Sequence, residues 1–374
     1  MSDLSLQLQQ ASSQLPVTSY FDEALFKREL ETIFQPGPRY VGHQLAVPNV
    51  GDYYALPQEG EGRALVRSAK GVELISNVCR HRQAVMLKGR GSLQGQGPAS
   101  AGGNIVCPLH RWTYNIQGEL IGAPHFKENP CLHLTQTPLK NWNGLLFDGA
   151  RDIAKDLQAL GCKQDFDFTG YMLNRVMIEE YNFNWKTFIE VYLEDYHVGP
   201  FHPGLNQFVD CEELHWQFAD KFSVQTVGFK SSLNRPGSPI YQQWQQQVAQ
   251  YHGKTQPKYG AIWMVYYPFL MIEWYPNVLV VSNIIPRDVN HCTNVVEFYY
   301  PEDIALFEQA YVEAQQAAYN ETAIEDKEIC QRMHNGRVAL HQLGVDERGP
   351  YQHPMETGMQ HFHQWLRQRL NPHL

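Results

Sequence analysis

NVCRHRQ (77–83) and IVCPLHRWTYNIQGEL (105–120) each set one cysteine and one histidine close together. Cys79 and His81 are two positions apart, Cys107 and His110 three apart. Each pair follows a short β-like run and enters a turn-forming segment, which places it on a loop at the end of a strand. Two thiolates and two imidazoles can make a tetrahedral zinc site. They can also hold a 2Fe-2S cluster, with both cysteines on one iron and both histidines on the other. The distribution favours the cluster. Zinc fingers keep like ligands together, whereas here each loop supplies one of each kind, as ligation of two different irons requires. Imidazoles in place of two thiolates also raise the reduction potential, which suits an electron acceptor.

Around these loops, residues 39 to about 150 read as short alternating runs punctuated by glycine and proline, the texture of a small all-β domain. Within it, GRGSLQGQGPASAGG (89–103) has nothing to bury and is expected to be an exposed loop. Upstream, SYFDEALFKRELETIF (19–34) reads as an amphipathic helix, with Ser19 as cap and Asp22 closing a capping box. Beyond residue 160 the pattern is mixed. AIWMVYYPFLMIEWYPNVLVVSNII (261–285) is apolar, but holds Glu273, two prolines and Asn277, so it predicts consecutive buried strands with a turn near Pro276-Asn277. PEDIALFEQAYVEAQQAAYNETAIEDKEICQRMH (301–334) has a long helical period opened by a proline, and METGMQHFHQWLRQRL (355–370) predicts a last amphipathic helix. Strands covered by long helices make the second part α+β.

The 374 residues are 43% apolar, enough for two domains with substantial cores. A net charge of −9 and a pI near 6.0, without a basic stripe, speak against nucleic acid and anionic membrane as partners. The opening MSDLSLQLQQASSQ has neither the basic nor the apolar region of a secretory signal and reads as a polar, mobile tail. Seven scattered cysteines do not form a disulfide framework. A cytoplasmic protein with reduced thiols is the expectation.

EDYHVGPFHPGL (194–205) is the second concentration of chemistry. NWKTFIEVYLEDYH (184–197) predicts a helix on which Glu190, Glu194 and His197 share one face, at i, i+4 and i+7. Charges buried on such a face need partners or a metal. Gly199-Pro200 is expected to stop that helix and let His202 swing back toward His197, which a continuous helix of roughly 3.6 residues per turn would place about 140° away. Two neutral imidazoles then bind one metal from adjacent corners. Asp195 is expected to face away.

CRHR followed by CPLHRWTYNIQGEL resembles the Rieske motif C-x-H…C-x2-H, including the Trp-x-Tyr and the glycine after the last ligand. Two departures stand out: 25 residues separate His81 from Cys107, and Arg111 replaces a common glycine. NWK (184–186) followed by E-x3-E-x2-H-x4-H resembles the catalytic segment of Rieske non-haem iron oxygenases, as found in terminal oxygenase alpha subunits. Glutamate at position 194 is similar to the choline- and carnitine-type monooxygenases, although Val191 stands where those carry asparagine.

The resemblance implies an α+β protein. A tail and helix (1–38) pack on the catalytic domain; a small all-β Rieske domain covers 39–155; and a larger domain (156–374) holds an antiparallel sheet covered by long helices in a helix-grip, START-like arrangement. It implies a 2Fe-2S cluster on Cys79, His81, Cys107 and His110. It also implies mononuclear Fe(II) on His197, His202 and a downstream carboxylate. AIEDKEICQR offers Asp326 for that place, with Glu325 next to be tested. Glu194 becomes the catalytic bridge, linking His110 of a neighbouring subunit to His197 in a head-to-tail homotrimer.

By the same resemblance the chain uses O2 to hydroxylate a small organic substrate, with N- or O-demethylation as one form of the result. Electrons come from a separate NAD(P)H-dependent reductase, directly or through a ferredoxin. Aromatic cis-dihydroxylation is the alternative reaction. A Rieske electron carrier and a zinc-stabilised binding protein are the alternatives of other classes. Trp263, Tyr266, Tyr267 and Trp274 are candidates for a substrate pocket.

Overall fold

The computed structural model describes residues 13–94, 103–230, 237–253 and 255–370. Pro36–Ala154 form one compact unit; the residues up to Gln35 and those from Lys155 onward form the other. The polar segment before residue 13 and most of the 89–103 stretch lie outside the described residues. Arg90–Ser92, at its near end, is a short strand paired with Asp52–Ala55 rather than loop. Among the described residues no helix is long and apolar enough to cross a membrane.

The first unit is all antiparallel β. Arg63–Ser68 and Gly71–Ser76 are the central pair of a five-stranded sheet, and a three-stranded sheet joins Arg39–His43, Leu145–Asp148 and Leu139–Trp142. Asp148 is fully buried where these strands end. It is neutralised by Arg39 at 2.8 Å and Arg63 at 2.7 Å, the partnership a buried carboxylate requires. A second three-stranded sheet, Asn104–Val106, Thr113–Asn115 and Leu120–Gly122, carries the second Cys-His loop between its first two strands. Its hairpin turns at Gly118, whose φ of +84° suits glycine and which packs against Leu134.

In the second unit, β1 (Tyr171–Tyr181), β2 (Val209–Ala219), β3 (Phe222–Phe229), β4 (Ala261–Tyr266), β5 (Leu270–Tyr275), β6 (Val278–Pro286) and β7 (Cys292–Pro301) make one antiparallel sheet in the order β1-β7-β6-β5-β4-β3-β2. Every residue of β4 is buried, so the strand reads as a continuous apolar run because both of its faces are covered. The β5–β6 turn falls at Pro276-Asn277 as the sequence predicts, with Asn277 in the left-handed region at φ 54°.

The N-terminal helix differs from its sequence reading. Ser19 is buried in a turn over Val17–Tyr20, and Asp22 is the N-cap itself, accepting from Leu25 N at 2.7 Å to start α1 (Glu23–Glu29). The segment from 184 also departs from the expected single helix. Asn184 caps α2 (Trp185–Tyr192), which ends at Leu193, before Glu194. Two single-turn helices follow, α3 (Val198–Phe201) and α4 (Pro203–Asn206).

After α5 (Pro239–His252) and the short α6 (Glu302–Phe307), α7 (Gln309–Gln342) runs 34 residues, about 51 Å at 1.5 Å per residue. It packs on α5 and α2, and α8 (Thr357–Leu370) closes the unit.

Candidate active site

The two Cys-His loops have the same backbone design. Cys79 N donates to Ala84 O (2.9 Å) and Gln83 N to Cys79 O (3.0 Å); Cys107 N donates to Trp112 O (2.8 Å) and Arg111 N to Cys107 O (3.1 Å). Gln83 and Arg111 occupy the left-handed position in each loop, at φ 54° and 62°. That is why glycine suits the place Arg111 takes; a side chain there costs about 1 kcal/mol.

The loops bring their four predicted residues together. Both cysteines are buried, and the thiol of Cys107 lies in hydrogen-bond contact with that of Cys79. The His81 and His110 rings are 4.8 Å apart, His81 stacks on Trp112, and its buried Nδ1 has no hydrogen-bond partner among the described residues. Burial pushes the Cys107 thiol up, while the backbone N–H groups of Leu109 and His110 favour its thiolate. Tyr114 Oη approaches Cys79 Sγ at 3.6 Å and accepts from Arg80 N. A donor set of two sulfurs, two imidazoles and N–H groups aimed at sulfur fits a 2Fe-2S cluster.

In the second unit, the break after Leu193 decides the geometry. Glu194 turns back to cap its neighbour: its Oε2 accepts from His197 N at 3.0 Å and its Oε1 lies 2.5 Å from His197 Nδ1. Gly199-Pro200 sits inside α3 and does not end a longer helix. α3 gives the one turn that returns His202 to His197, with their Nε2 atoms 3.0 Å apart. Asp326 Oδ1 is 3.0 Å from His202 Nε2 and 3.5 Å from His197 Nε2. Glu325 lies beside it and holds His202 Nδ1 at 2.7 Å.

Each imidazole is thus oriented by a glutamate at Nδ1 and presents Nε2 to a common centre. Two neutral Nε2 lone pairs so close repel each other unless a proton or a metal cation lies between them. Burial draws the His197 pKa down, but Asp326 and Glu194 outweigh it and raise it to about 10; His202 is raised on the same balance. Burial alone would raise the Asp326 carboxyl, yet the two histidines hold it well below the usual range. A divalent metal taking the place of those protons is the exchange expected of a two-histidine, one-carboxylate site.

Glu190 does not join this face. It is fully buried, accepts from Tyr20 Oη, and pairs with Arg337 at 2.7 Å and His363 at 2.9 Å. Helical periodicity stops applying at Leu193, so its alignment with Glu194 is lost. Asp195 is corrected the other way: it is 2% exposed and lines the cavity beside the histidines. Burial, with Glu194 adjoining, pushes it up to about 7. NWK has a structural place: Asn184 caps α2, and Trp185 Nε1 and Lys186 Nζ both reach the buried Glu29.

The cavity lies against His197, His202 and Asp326, between α7 and the sheet. Of the four aromatic candidates only Trp263 lines it. Tyr266 instead bonds Asp156, Tyr267 bonds His361 at 2.7 Å, and Trp274 packs edge-on against Tyr259. Strand parity is the reason. Side chains alternate faces, so Trp263, Glu273 and Tyr275 point in while Tyr266 and Trp274 point out, and Tyr267 is in the turn. Counting parity would have found Tyr275. Contact between Glu325 and His202, 123 residues apart, left no local signal.

Comparison with known proteins gives two family matches. Residues 165–371 match the ring hydroxylating alpha subunit (catalytic domain), and residues 38–142 the Rieske [2Fe-2S] domain. The chain is 58% identical to putrescine 2-hydroxylase of Ralstonia nicotianae, covering 98% of this chain and 99% of that one. It is 26% identical to the chloroplastic choline monooxygenase of Beta vulgaris, over 95% of this chain and 76% of the other. A crystal structure of the quaternary ammonium Rieske monooxygenase CntA superimposes with a TM-score of 0.75 at 18% identity, covering 97% of this chain and 98% of that one, a likeness of fold.

Proposed function

Since the chain belongs to the Rieske-type ring-hydroxylating oxygenase alpha subunits, and so carries a 2Fe-2S cluster and a mononuclear iron as terminal oxygenase, we propose that it hydroxylates a short aliphatic diamine of the putrescine type. One observation carries the substrate class. Five carboxylates (Glu179, Glu194, Asp195, Glu273 and Asp326) line the cavity, and no lysine or arginine does so among the described residues. Glu194 and Asp326 are committed to the histidines and Glu179 to Lys327, which leaves Asp195 and Glu273, two buried carboxyls with no lysine or arginine beside them among the described residues, to take up an ammonium group. The overall change is R–H + O2 + 2 e⁻ + 2 H⁺ → R–OH + H2O, with the electrons supplied by a separate reductase.

Cys79, Cys107, His81 and His110 would hold the cluster; His197, His202 and Asp326 would hold the iron. The cluster supplies electrons and the iron activates O2. The rest is the work of side chains. Glu194 and Glu325 keep the protons of His197 and His202 on Nδ1, so that both Nε2 atoms stay bare. The apolar and aromatic walls exclude water, and Asp195 and Glu273 hold the ammonium groups.

Electrons would reach this iron from another copy of the chain. His110 and Leu109 are exposed at the tip of the second loop, Leu109 by 53%. Tyr196, 57% exposed, lies two residues after Glu194 in the chain. These are two surfaces suited to meet across a subunit interface, with His110 of one copy on Glu194 of the next, as a head-to-tail trimer requires.

A substrate screen with the reconstituted enzyme, a reductase and NAD(P)H tests the proposal. Oxygen uptake coupled to a mono-hydroxylated diamine is expected with 1,4-diaminobutane, and neither uptake nor product with choline or carnitine. Coupled turnover of a quaternary ammonium in preference to the diamine would overturn the assignment.

A further inference from the structure

Glu273 sits on β5 in a cross-strand row with Gln225 (β3), Trp263 (β4) and Val280 (β6), all turned to the same face of the sheet. It is 3% exposed and lines the cavity. Its Oε2 accepts from Tyr275 Oη at 2.8 Å, and that hydroxyl accepts from Trp263 Nε1 at 2.8 Å. Tyr319, from α7, also bonds it. Both partners are neutral phenols. Two other buried carboxylates of this unit have cations: Glu29 has Lys186, and Glu190 has Arg337. Glu273 has none among the described residues, although removal from water without a counter-charge is costly. Burial pushes its carboxyl up to about 8, so that without a ligand it keeps a proton.

The cavity also has more acceptors than donors. Asp195 Oδ2, Gln225 Oε1 and Asn294 Oδ1 are buried, line it and have no hydrogen-bond partner among the described residues; Tyr192 Oη is in the same position. Carboxylate and amide oxygens only accept, so a ligand that satisfies them must bring N–H or O–H groups. A primary ammonium brings three N–H donors and no acceptor, and a diammonium brings six. A trimethylammonium group brings none and would leave every one of these oxygens unpaired.

We propose that Glu273 is the specificity-determining residue of this cavity: it binds one primary ammonium of the diamine and thereby sets which carbon of the chain lies at the iron site. The inference rests on the diamine reading above. The two halves of the site divide the task. The iron ligands come from the helical segments around α3 and from α7, whereas Glu273 comes from the sheet, whose hydrogen-bonded ladder holds it rigidly. Tyr275 and Trp263 fix the carboxylate rotamer through the hydrogen-bond chain. Had Glu273 been only a link in that chain, its replacement would change stability and leave amine discrimination alone.

The experiment compares binding of 1,4-diaminobutane and 1-aminobutane by calorimetry, using the full-length enzyme loaded with both metal groups. Wild type is expected to prefer the diamine by about 100-fold, the range of one charge-assisted contact to a buried group. Glu273→Gln, nearly isosteric, should reduce that preference to about threefold or less while the visible spectrum of the cluster and the iron content stay unchanged. Because the readout is a ratio, partial misfolding does not alter it. Glu273→Asp keeps the charge one methylene further back, so it should restore a diamine preference but move the optimum toward 1,5-diaminopentane. A full diamine preference in Glu273→Gln, or an unmoved chain-length optimum in Glu273→Asp, would overturn the role of Glu273 and leave the diamine reading standing. Wild type that binds neither amine would overturn both.

Discussion

At the scale of the residue, the site consists of two histidine–glutamate pairs facing each other. Glu194 reaches His197 from three residues away, Glu325 reaches His202 from across the fold, and both bonds fall on Nδ1. The pairs are chemically alike and differ in surroundings, because Glu194 neighbours the exposed Tyr196 whereas Glu325 shares its helix with Asp326. Their replacements should therefore part company. Glu325→Gln is expected to weaken iron binding by about 10- to 100-fold, since an unoriented His202 is a poorer ligand. Glu194→Gln should retain iron and cluster but nearly abolish substrate-coupled turnover, the outcome expected of a link to a neighbouring His110. Metal analysis beside single-turnover product formation separates the two, and equal loss of iron in both would remove the distinction.

At the scale of the element, α7 shows how one helix makes a cavity wall. Gln315, Ala318, Tyr319, Thr322, Ala323 and Asp326 line the cavity at i, i+3, i+4, i+7, i+8 and i+11, one continuous stripe. The same count puts Asp326 on the stripe and Glu325 beside it, so the pair could have been separated from the sequence by extending the period back to Gln315. The small residues of the stripe leave the volume of the cavity. Ala318→Leu should close part of it, raising KM for the diamine at least about tenfold, at a stability cost of about 1–3 kcal/mol for overpacking. The cluster spectrum and iron content should not change; an unaltered KM would show that the stripe does not border bound substrate. Strand parity acts likewise on β4 and β5, where a one-residue step separates Trp263 from a core position.

At the scale of the whole molecule, Glu190 joins four distant segments of the second unit: Tyr20 before α1, its own helix α2, Arg337 on α7 and His363 on α8. Burial opposes its charge, but Arg337, His363 and Tyr20 together hold its pKa down to about 2 against an ordinary 4.5. A carboxyl whose folded pKa is depressed contributes stability that is present above pH 4.5 and is lost as pH falls toward 2. The difference corresponds to about 3 kcal/mol. Burial likewise depresses the imidazole of His363, so its protonation acts in the same direction at acid pH. Glu190→Gln should lower the melting temperature at pH 7, with the gap from wild type narrowing as pH falls from 4.5 to about 3. A gap independent of pH would mean that the carboxylate charge plays no part.

What depends on near neighbours was legible along the chain. The Cys-His loops, the His197/His202 return, the β5–β6 turn and the period of α7 each lie within a few residues or one element, where backbone stereochemistry dictates the outcome. The same local signs carried the family, the two-part architecture and both metal groups. The rest came with the folded chain: that Glu190 turns to Arg337 and away from the histidines, that Asp195 enters the cavity, that Glu325 finds His202, and that one of four aromatic candidates faces the cavity. Those outcomes depend on where a helix stops and on which face of a strand its neighbours bury. Packing between segments a hundred or more residues apart sets both, and no local period in the chain records it.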